Sequence, residues 1–228
     1  MRTTKKIVKP RAPVARSSLS EQAFGMLEEK IVTLQLQPGS LWSEAMLSES
    51  LGIGRTPVRE AIQRLAEYHL VVIMQRHGIR IAEINEQEQL LVLETRRELE
   101  RLIASRAARR ASAVEKKTLA TMAQALLAAG KAGDVVELLR QYFVAKKFMA
   151  HCAGNRFSEQ AIAPLYTLSR RFYFMHHEEL DNLVEVAQLH ADLLRAVATG
   201  DENEAAAASD RHIDYAASFA KRIITRGF

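Results

Sequence analysis

Residues 41–65 read LWSEAMLSESLGIGRTPVREAIQRL, and the fold turns on how this stretch divides. Ser43 can cap a short helix that turns Met46, Leu47 and Leu51 inward, and Gly52 can end it. Thr56 followed by Pro57 reads as an N-cap and first-turn pair. It opens a second helix with Val58, Ile62 and Leu65 on one side. Gly52-Ile53-Gly54 makes the turn between them. A short helix, a tight Gly-containing turn and a capped second helix compose a helix-turn-helix.

Upstream, Ala23, Met26, Leu27, Ile31 and Leu34 recur at helical spacing, until Gln37-Pro38-Gly39 breaks the chain. Downstream of His69 the texture becomes β. Val71, Val72, Ile73 and then Ile79, Ile81 flank Gln75-Arg76-His77-Gly78, a hairpin turn. Three helices and a two-stranded hairpin over residues 20–84 predict a winged helix-turn-helix. From Asn85 onward no strand signal remains. Asn85 and Glu88 form a capping pair for a helix reaching about Ala111. Further helices are expected over roughly 114–129, 134–152, 157–178, 181–199 and 201–226. The expected fold is therefore mainly α: the winged domain, then an all-α antiparallel bundle over 85–228.

Composition bounds the function. The chain has 228 residues, 48% of them hydrophobic, enough to bury a core. Cys152 is the single cysteine, which excludes an intrachain disulfide and a Cys-based zinc finger. No stretch approaches the roughly 20 apolar residues of a membrane helix. The net charge of +5 is unevenly spread. Residues 1–19 hold Arg2, Lys5, Lys6, Lys9, Arg11 and Arg16 with no acid, and read as a disordered basic arm. The rest is close to neutral. No apolar run follows the arm's charges, as a secretory signal requires, and Pro10 and Pro13 weaken a mitochondrial-type presequence. A cytoplasmic protein is expected.

In a helix-turn-helix the second helix enters the major groove with its N-terminal residues at the base edges. On this reading Arg55 precedes that helix and Arg59 sits in its first turn. Either can offer a fork to guanine O6 and N7. Thr56 can cap the helix and reach a phosphate, and the helix N-terminus adds N–H donors. Arg64 lies further along. Arg76, His77 and Gly78 occupy the wing tip. Taken singly, these arginines read as solvated helix charges. Their coincidence with the motif makes Arg55, Thr56, Arg59, Arg64, His77 and Gly78 the DNA-binding candidates.

Residues 20–84 resemble the DNA-binding domain of the GntR family of bacterial transcription regulators. The strings LQPGSLWSEAMLSESLGIGRTPVREAIQRL and RHGIRIAEI carry the resemblance. It implies operator contacts from Arg55, Thr56, Arg59 and the wing Gly78. Gly54 stands where the family usually has Ser or Thr, and Ala45 where some members have an Arg. His69 replaces a helix-ending Gly. A left-handed non-Gly residue costs roughly 1 kcal/mol, so a differently shaped corner is expected there.

Residues 85–228 resemble the helical ligand-sensing FCD domain of the FadR-type branch, in its shorter six-helix form. The strings are RRELERLIASRAA, HCAGNRF and LHADLLRAVATGDENEAAAASDRHI. In that family an Asp and a His four residues apart, plus one His on each of the last two helices, commonly hold a divalent metal. His190 and His212 match the last two. The register set by Gly154-Asn155 puts the first pair at Tyr142 and Lys146. A Lys must lose its proton to bind metal, and its ammonium repels a cation. His151 near the helix end is a poor substitute. Three readings of His190 and His212 stand: satisfied core residues, lining of a metal-free effector pocket, or ligands of a rearranged metal set. The sharpest expectation is that Lys146 takes over the metal's attraction for an effector carboxylate. Arg96 would supply a second fork and Tyr142 a hydrogen bond. The expected effector is a small organic acid and the expected cofactor none.

His176-His177 cannot chelate together, because adjacent helical residues point about 100° apart. Cys152 reads as a packing residue, the Glu179–Asp181 edge as solvent-facing, and Ala205–Ala208 as tight helix packing. The resemblance implies a homodimer on palindromic operator DNA, a repressor released by its effector. The alternatives are a metal-dependent sensor of the same fold and an all-α metalloenzyme. No nucleophile–base arrangement supports an enzyme.

Overall fold

The computed structural model describes residues 18–180 and 182–226. The basic arm up to residue 17 and Asp181 of the acidic edge lie outside the described residues.

The reader domain begins with α1 (Leu19–Val32), capped by Ser18. Its buried Ala23, Phe24, Leu27 and Ile31 pack against α3. The strand β1 (Leu41–Trp42) leads to α2 (Glu44–Leu51), whose cap Ser43 accepts from the Met46 N–H at 3.2 Å. Gly52 ends α2 with φ +65°, a left-handed turn that Gly adopts without a Cβ penalty. Helix α3 spans Arg55–Glu67 and buries Val58, Ala61, Ile62 and Leu65. The hairpin strands follow as β2 (Val71–Met74) and β3 (Gly78–Ile81).

Three expectations need correction here. The N-cap of α3 is Gly54, with no side-chain capping bond, so Thr56 lies inside the first turn rather than at the cap. Arg55 is accordingly the first helical residue, and Arg59 falls in the second turn. The sheet has three strands, ordered β1-β3-β2, because Leu41 pairs with Arg80 and Trp42 with Ile79. A two-residue strand shows no alternation, so nothing in its own sequence marks it. Finally, the His69 corner keeps the ordinary shape. His69 takes φ +58°, its N–H bonds Ala66 O at 3.0 Å, and Leu70 N–H bonds Leu65 O at 3.0 Å. That is the usual pair of bonds closing a helix on a left-handed residue, with His in place of Gly.

The bundle comprises α4 (Glu86–Arg110), α5 (Ala113–Ala132), α6 (Val135–Cys152), α7 (Arg156–Met175), α8 (Leu183–Thr199) and α9 (Glu202–Arg226). The stretch expected to continue to residue 178 stops at Met175, and His177–Glu179 form a separate 3₁₀ turn. Helix α5 packs on α8 and α4 on α9. Gly130 lets α5 approach closely, since a Cβ there would lie 2.5 Å from Ala187 Cβ and 2.8 Å from Leu183 O.

The two domains have separate apolar cores. They meet where α1 lies on α7. Thr167 donates to the buried Glu28 carboxylate at 2.5 Å, and Arg170 pairs with Glu29. Among the described residues no helix is long and apolar enough to cross a membrane.

Candidate DNA interface and sensor pocket

The outer face of α3 carries the reader's chemistry. Burial of Val58, Ala61, Ile62 and Leu65 leaves Arg55, Thr56 and Arg59 in solvent at the N-terminal half. Arg59 is not loose. Its Nε lies 3.0 Å from both Glu44 carboxylate oxygens, and its Nη2 donates to Oε2 at 2.7 Å. The hydrogen bond to Arg59 holds the Glu44 carboxyl below its usual range and raises the guanidinium above its own. Glu44, Arg59, Gln63, Arg76 and Gly78 line one groove of about 290 Å³ between α3 and the wing. Gly78 is required there: it has φ +90°, and a Cβ would sit 2.5 Å from the Trp42 carbonyl oxygen. His77 is exposed at the tip, with Nδ1 2.8 Å from Gln75 O.

Arg64 does not join this set. Five residues past Arg59 it lies about 140° around the helix. Its guanidinium stacks 4.0 Å over the Phe24 ring and 5.7 Å from that of Tyr68. Sequence reasoning missed Glu44. Its visible signal was an acid directly after the Ser43 cap, which also reads as ordinary dipole pairing.

In the bundle, Arg96, Tyr142, Lys146, His190 and His212 do converge. All five are buried. A sixth residue organises them. Glu100, one helical turn past Arg96 and fully buried, accepts from Arg96 Nε at 2.7 Å and from the Lys146 ammonium. Arg96 Nη2 also donates to Tyr142 Oη at 3.0 Å, and that oxygen lies 3.0 Å from His212 Nε2. The Tyr142 ring stacks on His190 with centroids 4.0 Å apart. Glu100 was legible only as an acid four residues after Arg96, on the face of α4 that also carries Leu93 and Ile103.

Burial dominates the electrostatics. It drives His190 and His212 well below their usual range, reinforced by Lys146 and Arg96, so both imidazoles are neutral at pH 7. His212 Nδ1, 3.7 Å from Glu100, therefore makes no ion pair. Burial also pushes Lys146 down to about 8, against the pull of Glu100. Burial would raise Glu100, but Arg96 and Lys146 outweigh it and keep the carboxylate ionised. The cluster thus holds two cations and one anion. Arg96 Nη1, His190 Nδ1 and His212 Nδ1 are buried without a hydrogen-bond partner.

This donor set does not suit a divalent metal. Two neutral imidazoles are present, but the other family positions hold a neutral phenol and an ammonium already bonded to Glu100. Among the described residues no group of three His, Cys, Asp or Glu side chains is placed to hold a metal. The cavity beside His190 and His212 measures about 20 Å³, room for about one water. His151 is exposed near Glu159, and His176 lies 3.3 Å from Glu86. Cys152 is buried, which pushes its thiol up to about 11 and leaves it unreactive.

A winged helix-turn-helix joined to a six-helix domain with a buried polar cluster defines a two-domain DNA-binding regulator. The chain belongs to the GntR family of bacterial regulatory proteins: that family's domain matches residues 19–81, and an FCD domain matches residues 91–215, more than half the chain. It is similar to the transcriptional repressor GlaR of Escherichia coli K12, 26% identical over 85% of this chain and 92% of that protein. The transcriptional regulator Mce2R of Mycobacterium tuberculosis is 41% identical over 64 residues, 28% of this chain and 27% of that protein. Among solved structures, E. coli McbR/YncC shares the fold with a TM-score of 0.80 at 19% identity, over 92% of this chain and all of that one. A GntR regulator from Rhodococcus sp. RHA1 aligns with a TM-score of 0.68 at 16% identity, over 90% of this chain and 98% of that one. The protein is a DNA-binding transcription regulator, not an enzyme.

Proposed function

We propose that two copies of the chain bind a palindromic operator as a repressor, and that a small organic acid in the bundle releases them. The observation that carries the DNA half is the exposed row Arg55, Thr56 and Arg59, backed by a fully buried opposite face of α3. Arg59, aimed by Glu44 into the groove beside the wing, reads a guanine edge. Arg55, Thr56 and the wing residues His77 and Gly78 set the register on the phosphates. Arg64 braces α3 against α1. The repressor sign is taken from GlaR, and the cytoplasmic setting from the role.

The effector half rests on the buried cluster. Two cations answered by one carboxylate leave one positive charge uncompensated, which suits a monocarboxylate. The incoming carboxylate accepts from the unpartnered Arg96 Nη1 and lies beside Lys146, with Glu100 kept in place. The orphan nitrogens of His190 and His212 then serve its other polar atoms. A cavity of about 20 Å³ cannot admit such a ligand, so the Tyr142–His190 stack has to part on entry. That movement lies on α6 and α8. Lys147 on α6 lies 3.6 Å from Glu28 of α1, which gives the signal a route to the reader.

Footprinting on DNA flanking the gene tests the first half. Two protected half-sites about one helical turn apart are expected; protection of a single half-site overturns the paired mode. For the second half, operator release by a panel of small monocarboxylates should vanish in Lys146→Met. Release that survives this change overturns the carboxylate assignment.

A further inference from the structure

A cavity far larger than that beside His190 and His212 lies outside the sensor cluster. It measures about 420 Å³ and lies at the junction of the two domains, between the linker at residues 83–85, the start of α4 and α7. That is within the range of about 300–1,000 Å³ typical of small-molecule sites, which favour domain boundaries. One wall is apolar, formed by Leu91, Val92, Leu165 and Phe172.

Arg171 of α7 also lines it and is only 2% exposed. Its Nη2 donates to the carbonyl oxygen of Ala82 at 2.5 Å, while its Nε is buried without a partner. Among the described residues no carboxylate lies within ion-pair distance of it. Arg96, the bundle's other buried arginine, is answered by Glu100. A buried guanidinium without a counter-ion is costly, and proteins supply such groups with a partner. Burial pushes Arg171 down to about 10, with Glu83 only partly opposing. Glu83 and Glu88 stand exposed on the lining and disfavour a second negative charge on any occupant.

We infer that this junction cavity is a second ligand site, separate from the sensor cluster, for a small organic monoanion with an apolar body. The anionic group meets Arg171, and the body lies along Leu91, Val92, Leu165 and Phe172. Ala82 follows directly on β3, so an occupant at Arg171 bears on the segment that joins the wing to the bundle.

The test uses the full chain and two fluorescent probes of the same ring system. Anilinonaphthalene sulfonate carries one negative charge, and phenylnaphthylamine carries none. Saturable, single-site binding of the sulfonate is expected. Arg171→Met should weaken it about tenfold or more, and leave the neutral probe bound. Thr95→Trp, at an exposed position lining the cavity, should exclude both probes. The inference is overturned if Arg171→Met keeps the sulfonate's affinity, or if the sulfonate still binds Thr95→Trp. Loss of both probes in Arg171→Met also overturns it, because Arg171 would then be only a brace for the linker.

Discussion

The two domains both carry arginines on helices and use them in opposite ways. In the reader, Arg55 and Arg59 stand in solvent on the outer face of α3. In the bundle, Arg96 is fully buried and committed to Glu100 and Tyr142. The difference is set by desolvation. A hydrated charge can wait in solvent for a phosphate or a base, whereas a buried one needs a counter-charge in place, which Arg96 finds in Glu100. Exposure leaves Arg55 and Arg59 for an outside partner; burial has committed Arg96 to an inside one.

The bundle half of this comparison breaks most sharply at Glu100. Glu100→Ala leaves Arg96 and Lys146 buried as like charges. Removing one partner of a buried ion cluster costs about 3–5 kcal/mol, so a large drop in the denaturation midpoint is expected. A loss below about 1 kcal/mol would mean that the cluster is open to water after all. On the reader side, Arg59→Ala should weaken operator binding by about 1–3 kcal/mol in a gel-shift titration. Its denaturation midpoint should stay close to the parent's, because the side chain is exposed. If Arg59→Ala unfolds the reader instead, the contrast between reserved and committed charges fails.

The same contrast explains what the sequence made legible. The reader's order of caps, turn and hairpin is written in local signals such as Ser43, Gly52 and the Gln75–Gly78 turn, each acting within a few residues. Its operator face follows from the helix-turn-helix motif, while helical period turns Arg64 away from it. The missing strand, Leu41–Trp42, exists only through its pairing with β3, a contact nearly forty positions distant. The cap misassigned to Thr56 shows a local signal overruled: Gly54 already has the extended conformation of a cap, so the helix starts earlier. In the bundle, the resemblance to the family pointed to the five side chains that converge, yet Glu100 went unnoticed. An i,i+4 Arg–Glu pair reads the same on a wet face as in a core. Only the packing of α6 and α9 over α4 distinguishes them.

Acid should act on the bundle's committed groups. His190 and His212 are held neutral, with folded pKa values below 6.5. In the unfolded chain both take up protons as pH falls through about 6.5, while the folded state does not. The contribution of these two imidazoles is therefore level above that pH and declines below it. Carboxylates such as Glu100, lowered from 4.5, add their own losses only at still lower pH. Melting followed by circular dichroism should show a lower midpoint at pH 5.5 than at 7.5. His212→Gln should shrink that gap, and an undiminished gap would place the acid sensitivity elsewhere.

The smallest effect concerns Glu44, where the two categories meet. The Glu44–Arg59 pair lies at the solvent-exposed surface, so it adds little to stability. Its carboxylate nevertheless occupies the Nε edge of Arg59 and leaves Nη1 facing away from it. A free Arg samples many rotamers, and freezing it on DNA costs entropy. Glu44 meets that cost before DNA arrives. It also sets a negative charge near phosphate, which opposes sequence-independent attraction. Glu44→Gln should therefore tighten binding to scrambled DNA while adding less, or nothing, on the operator. The ratio of the two affinities should fall by about two- to fivefold, measured by fluorescence anisotropy at one fixed salt concentration. An unchanged ratio would mean that the groove alone aims Arg59. A reduced one would show that a charge reserved for an outside partner is still directed from inside the fold.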